Sequence, residues 1–277
     1  MRVLLVLEPW STLGQVRHLR RLKYLLGAYR FKHGVAAILA TGQTAIRQYR
    51  SVGFSSEAVL PWGYFLGGHA PDARVPFPLA EQNAVTGLYV GSLENHKGLD
   101  LAIRAVAFSE YRDSLRLEII GSGPDEQTLR RLAASMGVAG ALRWHGTVPN
   151  DVVRGAYAQA DFHVLPSRYD GWGAVVNEAL SAGTPSLVSS AAGSSDLIVS
   201  RRLGRIFRPS EPRSAVRELD ALVQDLHAGI LDRTSIAAHS AGSISAQAGA
   251  QYFSDILSHV FDGASRPLPP WKEFSAT

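Results

Sequence analysis

The 277-residue chain contains no cysteine. This excludes disulfides, thiolate metal sites and a cysteine nucleophile, and it is compatible with a reducing cytoplasm. Metal ligands would have to come from histidine and carboxylates, yet the nine histidines form no H-E-x-x-H or comparable cluster, so neither a metal ion nor a cofactor is expected. No stretch approaches the roughly 20 apolar residues of a membrane span. The opening M-R-V-L-L-V-L-E-P-W is too short for a signal peptide, and Glu8 interrupts it. A G-x-G-x-x-G fingerprint is missing too: G-S-G-P-D-E at 121–126 has Pro124 after its second glycine and Glu126 where the third would stand. That failure argues against a nucleotide-cofactor oxidoreductase. Internal repeats and low-complexity tracts are also absent, and a soluble, cytoplasmic protein is expected.

What is present describes an ordinary globular chain, with 46% hydrophobic and 19% charged residues and enough apolar side chains for a sizeable core. The length exceeds one typical domain and falls short of two full α/β domains. The net charge of +4 conceals an asymmetry: residues 1–50 hold nine Lys or Arg against Glu8 alone, and the remaining 227 residues hold 19 against 23 acids. A basic end suggests an anionic partner. Two readings of its segment with Arg17, Arg20, Arg21 and Lys23 stay open. The helix rests on an anionic membrane surface at the inner face of the membrane, or it is a solvated face. No aromatic-interleaved basic patch accompanies it, so nucleic acid is not an expected partner.

Apolar β-rich runs alternate with amphipathic segments, the βαβ rhythm of a parallel sheet covered by helices. Strands are expected at 3–7 and 35–40 and helices at 16–29 and 43–51, with Val16, Leu19, Leu22, Leu25 and Leu26 on one helical face. The Gly- and Pro-rich stretch at 67–78 reads as a boundary. Beyond it, strands are expected near 87–90, 115–120, 142–145, 162–165, 186–189 and 204–207, and helices near 99–108, 126–136, 151–159 and 174–182. The region 215–260 reads as mostly helical, and R-P-L-P-P-W-K-E-F as an extended tail. The expected division is a partial Rossmann-like unit at 1–75, a complete one at 76–262 and a tail at 263–277.

In a doubly wound sheet, ligands bind beyond the carboxyl ends of the strands. Three loops there carry the chemistry. In G-S-L-E-N-H-K-G-L-D, Lys97 precedes a glycine and a helix start, where an ammonium meets a phosphate or simply stays solvated. The 121–126 stretch reads first as a tight strand-to-helix turn with a proline in the first helical turn. In R-Y-D-G-W-G-A-V-V-N-E, Gly171 and Gly173 allow close approach of backbone to ligand, and amides at the helix start face any anion placed there. Asp170 and Glu178 flank that turn; were the stretch helical, eight residues would span roughly 12 Å, a nucleotide sugar's scale. Carboxylates suit sugars because each accepts hydrogen bonds from neighbouring hydroxyls. Spacing equally allows Asp170 to be a helix-terminus acid and Glu178 a solvated one.

The ordered series Y-V-G-S-L-E-N-H-K-G-L-D, L-E-I-I-G-S-G-P-D-E, R-W-H-G-T-V, A-D-F-H-V-L-P-S-R-Y-D-G-W-G-A-V-V-N-E-A-L-S-A-G-T-P and S-S-D-L-I resembles the family 4 glycosyltransferases over residues 85–208. The resemblance implies a GT-B fold, a donor-binding C-terminal domain and mostly retaining chemistry. Lys97 matches the family's diphosphate-binding lysine, Glu178 the acid that holds the donor ribose, and Asp170 the acid on the donor sugar, where many members have Glu. These three are the implied catalytic set. Gly171, Trp172, Gly173 and Ala174 match the backbone at the phosphates, and Gly91, Gly121, Val148 and Val175 fall within the donor motifs. Ser92 stands where the family usually has an arginine, leaving the diphosphate's charge to Lys97 or a substitute.

Only about 75 residues precede the boundary, resembling the later part of the family's acceptor domain through A-I-L-A-T-G-Q-T-A. The expectation is transfer from a nucleotide sugar to a glycan, lipid-linked or small-molecule acceptor. The alternative is an abbreviated or split relative that binds the nucleotide sugar but needs a partner chain supplying the other half before it transfers.

Overall fold

The computed structural model describes residues 3–11, 17–67, 77 and 84–273. Its first parallel sheet orders β1 (Val3–Leu7), β2 (Val35–Thr41) and β3 (Val59–Trp62), with α1 (Arg17–Phe31) between the first two and α2 (Gly42–Ser51) between the last two. β3 was not expected. It has four residues, one of them Pro61, and a proline is tolerated at a sheet edge because no partner there needs its missing N–H.

The second part alternates strand and helix as expected: β4 (Val85–Val90), α3 (Leu99–Phe108), β5 (Leu115–Ile120), α4 (Glu126–Ser135), β6 (Leu142–Gly146), α5 (Asn150–Gln159), β7 (Phe162–Leu165), α6 (Val175–Ser181), β8 (Ser186–Ser189) and β9 (Gly204–Phe207). The six strands are all parallel in the order β6-β5-β4-β7-β8-β9. Helices cover both faces, which is why β7 and β8 are buried at every residue, their polar His163, Ser186 and Ser189 included. On one face Leu99, Ile103 and Val106 of α3 meet Leu219, Leu222 and Val223 of α7 (Pro212–His227) over Leu117 and Ile119. On the other, Leu88 and Ile120 pack on Ala156, Tyr157 and Ala179. Each fully buried aliphatic of this kind contributes about 1.5 to 3 kcal/mol. The strand order reverses between β4 and β7, so a crevice opens beyond Val90 and Leu165.

Helices α8 (Arg233–Ser243) and α9 (Ala246–Asp262) follow, and α9 lays Tyr252 and Ile256 on Ala37, Leu39 and Leu60 of the three-stranded sheet. The expected extended tail instead turns back: Arg266 donates to the carbonyls of Ser56 and Val59, and a final turn, α10 (Pro270–Glu273), buries Trp271 against Trp172 and Phe65. Pro270 suits a first helical position, and an indole of that size gains by burial.

The shared apolar face of α1 is turned to solvent. Leu19, Leu22 and Leu26 are 66%, 52% and 62% exposed, while Val16 lies outside the described residues. The helix is anchored by buried Ala28 and by Tyr24 stacked on Trp10 at 4.5 Å. The expected boundary at 67–78 lies outside the described residues except for Gly67 and Phe77, and Phe77 packs on the His145 ring at 4.7 Å. No described helix is long and apolar enough to cross a membrane.

Candidate active site

Two loops, 91–98 after β4 and 166–174 after β7, form the floor of the crevice. Gly98 adopts a left-handed φ of 69°, and a Cβ there would strike the Pro166 carbonyl, so glycine alone lets the loops touch. Arg168 stitches them. Its N–H donates to His96 O at 2.8 Å, and its guanidinium grips Asp100 through two bonds of 2.6 and 2.7 Å and reaches Asn95 O at 3.0 Å. The Asp100 carboxylate raises the pKa of Arg168, as expected of a bidentate pair. In that register the Lys97 ammonium meets Asp170 Oδ2 at 2.8 Å. The side chains are 27% and 12% exposed, so salt screens this pair less than a surface one.

The stretch from Asp170 to Glu178 is not one helix. Asp170 bridges to Ala192 as an isolated β pair, Gly173 turns with φ 93°, and α6 begins only at Val175. A Cβ on Gly173 would crowd Leu165 and Ser194. Trp172 is 1% exposed and works as an anchor: its indole N–H donates to Asn177 Oδ1 at 2.8 Å, and the Asn177 amide donates to Tyr64 O at 2.7 Å.

Beyond β4 and β7 lies a cavity of about 360 Å³. Gly91, Ser92, Lys97, Asp170, Trp172, Gly173, Ala174 and Val175 of the expected donor set line it. Gly171 sits at its edge, where a Cβ would run into the Glu8 carboxylate. Glu178 is separate, lining an adjacent cavity of about 230 Å³ with Asn150, Arg154 and Tyr157. Gly121 and Val148 line neither: Gly121, at φ 139°, lies against the Gly91 carbonyl, and Val148 packs with Val90 under α5. The 121–126 stretch is the tight turn expected, tied to the first loop by Leu93 N–H to Ser122 O and Asp125 N–H to Leu93 O, both 3.0 Å. Among the described residues no group of three or more His, Asp or Glu side chains could hold a metal ion.

Burial raises the Glu178 carboxyl's pKa, opposed by Tyr157 and by the Arg154 charge. The Tyr157 hydroxyl beside it is wholly buried and has no bond of normal length. Burial and the Asp170 charge raise Tyr89, whose hydroxyl fixes the first loop by donating to Ser92 O at 2.7 Å.

The family model described as "Glycosyl transferases group 1" matches residues 75–233, more than half of the chain. The chain belongs to that family. An uncharacterized glycosyltransferase of Methanocaldococcus jannaschii is 35% identical over 138 residues, covering 50% of this chain and 35% of the relative. The sulfoquinovosyl transferase of Arabidopsis thaliana is 28% identical over 193 residues, 68% of this chain and 36% of the relative. The matches thus span about a third of the length of these curated relatives. Among solved structures, Anabaena HepE in complex with UDP superposes with a TM-score of 0.73 at 15% identity, over 93% of this chain and 72% of that one. WaaG, a glycosyltransferase involved in lipopolysaccharide biosynthesis, gives 0.60 at 17% identity over 86% and 73%. At such identities the likeness is one of fold, and the fold is GT-B.

For this group 1 family member, the cavity residues that escaped the sequence reading include Glu8, Tyr64, Tyr89 and Arg154. Glu8 had a signal, as the sole acid of the first 50 residues and the end of an apolar strand. Arg154 lies one turn into the helix after β6, a place the ligand rule covers. Tyr64 and Tyr89 had none, since an aromatic near a strand end is ordinarily core.

Proposed function

We propose that this chain is a glycosyltransferase that binds a nucleotide sugar between its two sheets and passes the sugar to an acceptor hydroxyl with retention. The observation that carries the reading is the Lys97–Asp170 pair at the point where strand order reverses, with Glu178 one cavity away. A diphosphate at the start of α6 competes with Asp170 for the Lys97 ammonium. The carboxylate so released accepts hydroxyls of the donor sugar, while Glu178 accepts those of the ribose. Arg154 supplies a second cation, taking the part of the arginine that Ser92 replaces. The acceptor oxygen bonds the anomeric carbon as the bond to the diphosphate breaks, and the proton passes to the departing phosphate. Lys97 stabilises the charge that develops there. The residues after β4 and β7 form the donor side, and the three-stranded sheet forms the acceptor side.

A thermal-shift screen against UDP, GDP, ADP and their sugars tests this: one nucleotide sugar raises the melting temperature, and no shift with any ligand refutes it. Transfer of label from that donor to cell-envelope acceptors separates an active transferase from a chain that only binds, and transfer appearing only with an added second chain favours the split arrangement.

A second reading concerns α1. Leu19, Leu22, Leu26 and Tyr29 are exposed beside exposed Arg21 and Lys23, a composition suited to an anionic lipid surface. Co-sedimentation with phosphatidylglycerol vesicles, lost in Arg21→Glu/Lys23→Glu, is the expected result; equal binding to neutral vesicles counts against it.

A further inference from the structure

The carboxyl ends of both parallel sheets open onto the larger cavity. Besides Lys97 and Asp170, its wall carries Glu8, the residue directly after β1, and Tyr64, two residues after β3. The Tyr64 hydroxyl donates to Glu8 Oε1. Neither residue has a part in the donor contacts above.

Both side chains are exposed, yet their backbones are fixed from several directions. Tyr49 Oη donates to the Glu8 carbonyl at 2.9 Å, and Tyr169 Oη, from the donor loop, donates to the Pro9 carbonyl at 2.5 Å. The Gln48 amide pairs with Trp10 N–H and O at 2.8 and 2.9 Å, and Asn177 holds the Tyr64 carbonyl at 2.7 Å. Gly171 gives the Glu8 carboxylate room at the edge of the donor loop. A merely solvated acid gains nothing from such placement, whereas a ligand contact needs it.

We propose that Glu8 and Tyr64 form a hydroxyl-binding pair that holds a polyhydroxylated ring, a sugar or cyclitol, in the cavity they share with Asp170. The proposal rests on the nucleotide-sugar reading of the cavity, and the ring is either the donor's own hexose or the acceptor. A carboxylate accepts hydrogen bonds from neighbouring ring hydroxyls, and its charge turns away anions. The Tyr64 hydroxyl hydrogen is already engaged with Glu8 Oε1, so the phenol oxygen accepts a further hydroxyl while Glu8 Oε2 takes another. In keeping with a committed donor, the bond to Glu8 pushes the Tyr64 pKa up to about 12.

Saturation-transfer NMR on the full chain tests the pair with free glucose, galactose, mannose and myo-inositol as probes, no nucleotide being present. We expect ring signals in the wild type that fall at least fivefold in Glu8→Gln and in Tyr64→Phe. Gly171→Ala, which displaces the carboxylate without altering it, should lower them too. Absence of any ring signal in the wild type, or equal signals in the variants, overturns the proposal. UDP, GDP and ADP measured in parallel report on the donor reading separately: ring signals without any nucleotide signal support the pair and defeat that reading. Saturating nucleotide sugar then distinguishes the sources, because a ring signal that persists marks an acceptor place and one that vanishes marks the donor hexose.

Discussion

Asp170→Asn separates the two ends of the donor. The substitution keeps size and one acceptor oxygen but removes the charge that meets Lys97 at 2.8 Å. A hydrogen bond to a charged acceptor is worth about 1.5 to 3 kcal/mol against about 0.5 to 1.5 for a neutral one, so sugar hydroxyls lose roughly 1 to 1.5 kcal/mol. That is about a five- to tenfold loss of affinity for the nucleotide sugar. The bare nucleotide diphosphate behaves differently. It competes with Asp170 for Lys97 and is repelled by the carboxylate, so its affinity should stay level or rise modestly. Isothermal titration of wild type and variant with both ligands reads the two effects side by side. Equal losses for both would show that Asp170 does not sit at the sugar end.

Gly98→Ala forces a side chain into a left-handed φ of 69° and against the Pro166 carbonyl. It should cost about 2 kcal/mol or more in denaturant unfolding and weaken nucleotide binding, because Lys97 is the adjacent residue; unchanged values for both would refute the stitched-loop account. His163 is wholly buried, and burial lowers its pKa from 6.5 to about 3. The folded state therefore refuses a proton that the unfolded chain takes, so its contribution is full above pH 6.5 and is lost as pH falls toward 3, by roughly 1.4 kcal/mol per pH unit. Stability measured from pH 7 to 4 should fall less steeply in His163→Leu than in wild type, and parallel profiles would count against it.

The six-stranded sheet was legible because a parallel sheet covered on both faces needs apolar runs at regular intervals with helices between, and residues 85–207 have them. Lys97 and Asp170 were legible from their places after strand ends, and they meet. Asp170 was expected in the loop and Glu178 in the helix after it, and both lie there; that Glu178 lines a separate cavity was not legible, because Asp170 to Gly173 turns through a glycine and a β bridge whose path spacing does not encode. Trp172 was expected at the phosphates; its indole serves as a buried anchor, and no periodicity distinguishes the two. β3 was hidden by Pro61, and Trp271 by a proline-rich context that reads as extended. Glu8 and Tyr64 enter the cavity only through the meeting of two sheets, a long-range contact that no local pattern encodes.

In the proposed reading Lys97 and Glu178 hold a nucleotide diphosphate at the carboxyl ends of β4 and β7. Calorimetric titration of wild type, Lys97→Ala and Glu178→Ala with the nucleotide diphosphate that gives the largest thermal shift tests it directly. Removing the Glu178 carboxylate forfeits charge-assisted bonds to the ribose, about 1.5 to 3 kcal/mol, so affinity should fall about tenfold or more, with a comparable fall for Lys97→Ala. Wild-type affinity retained in both variants would contradict the account.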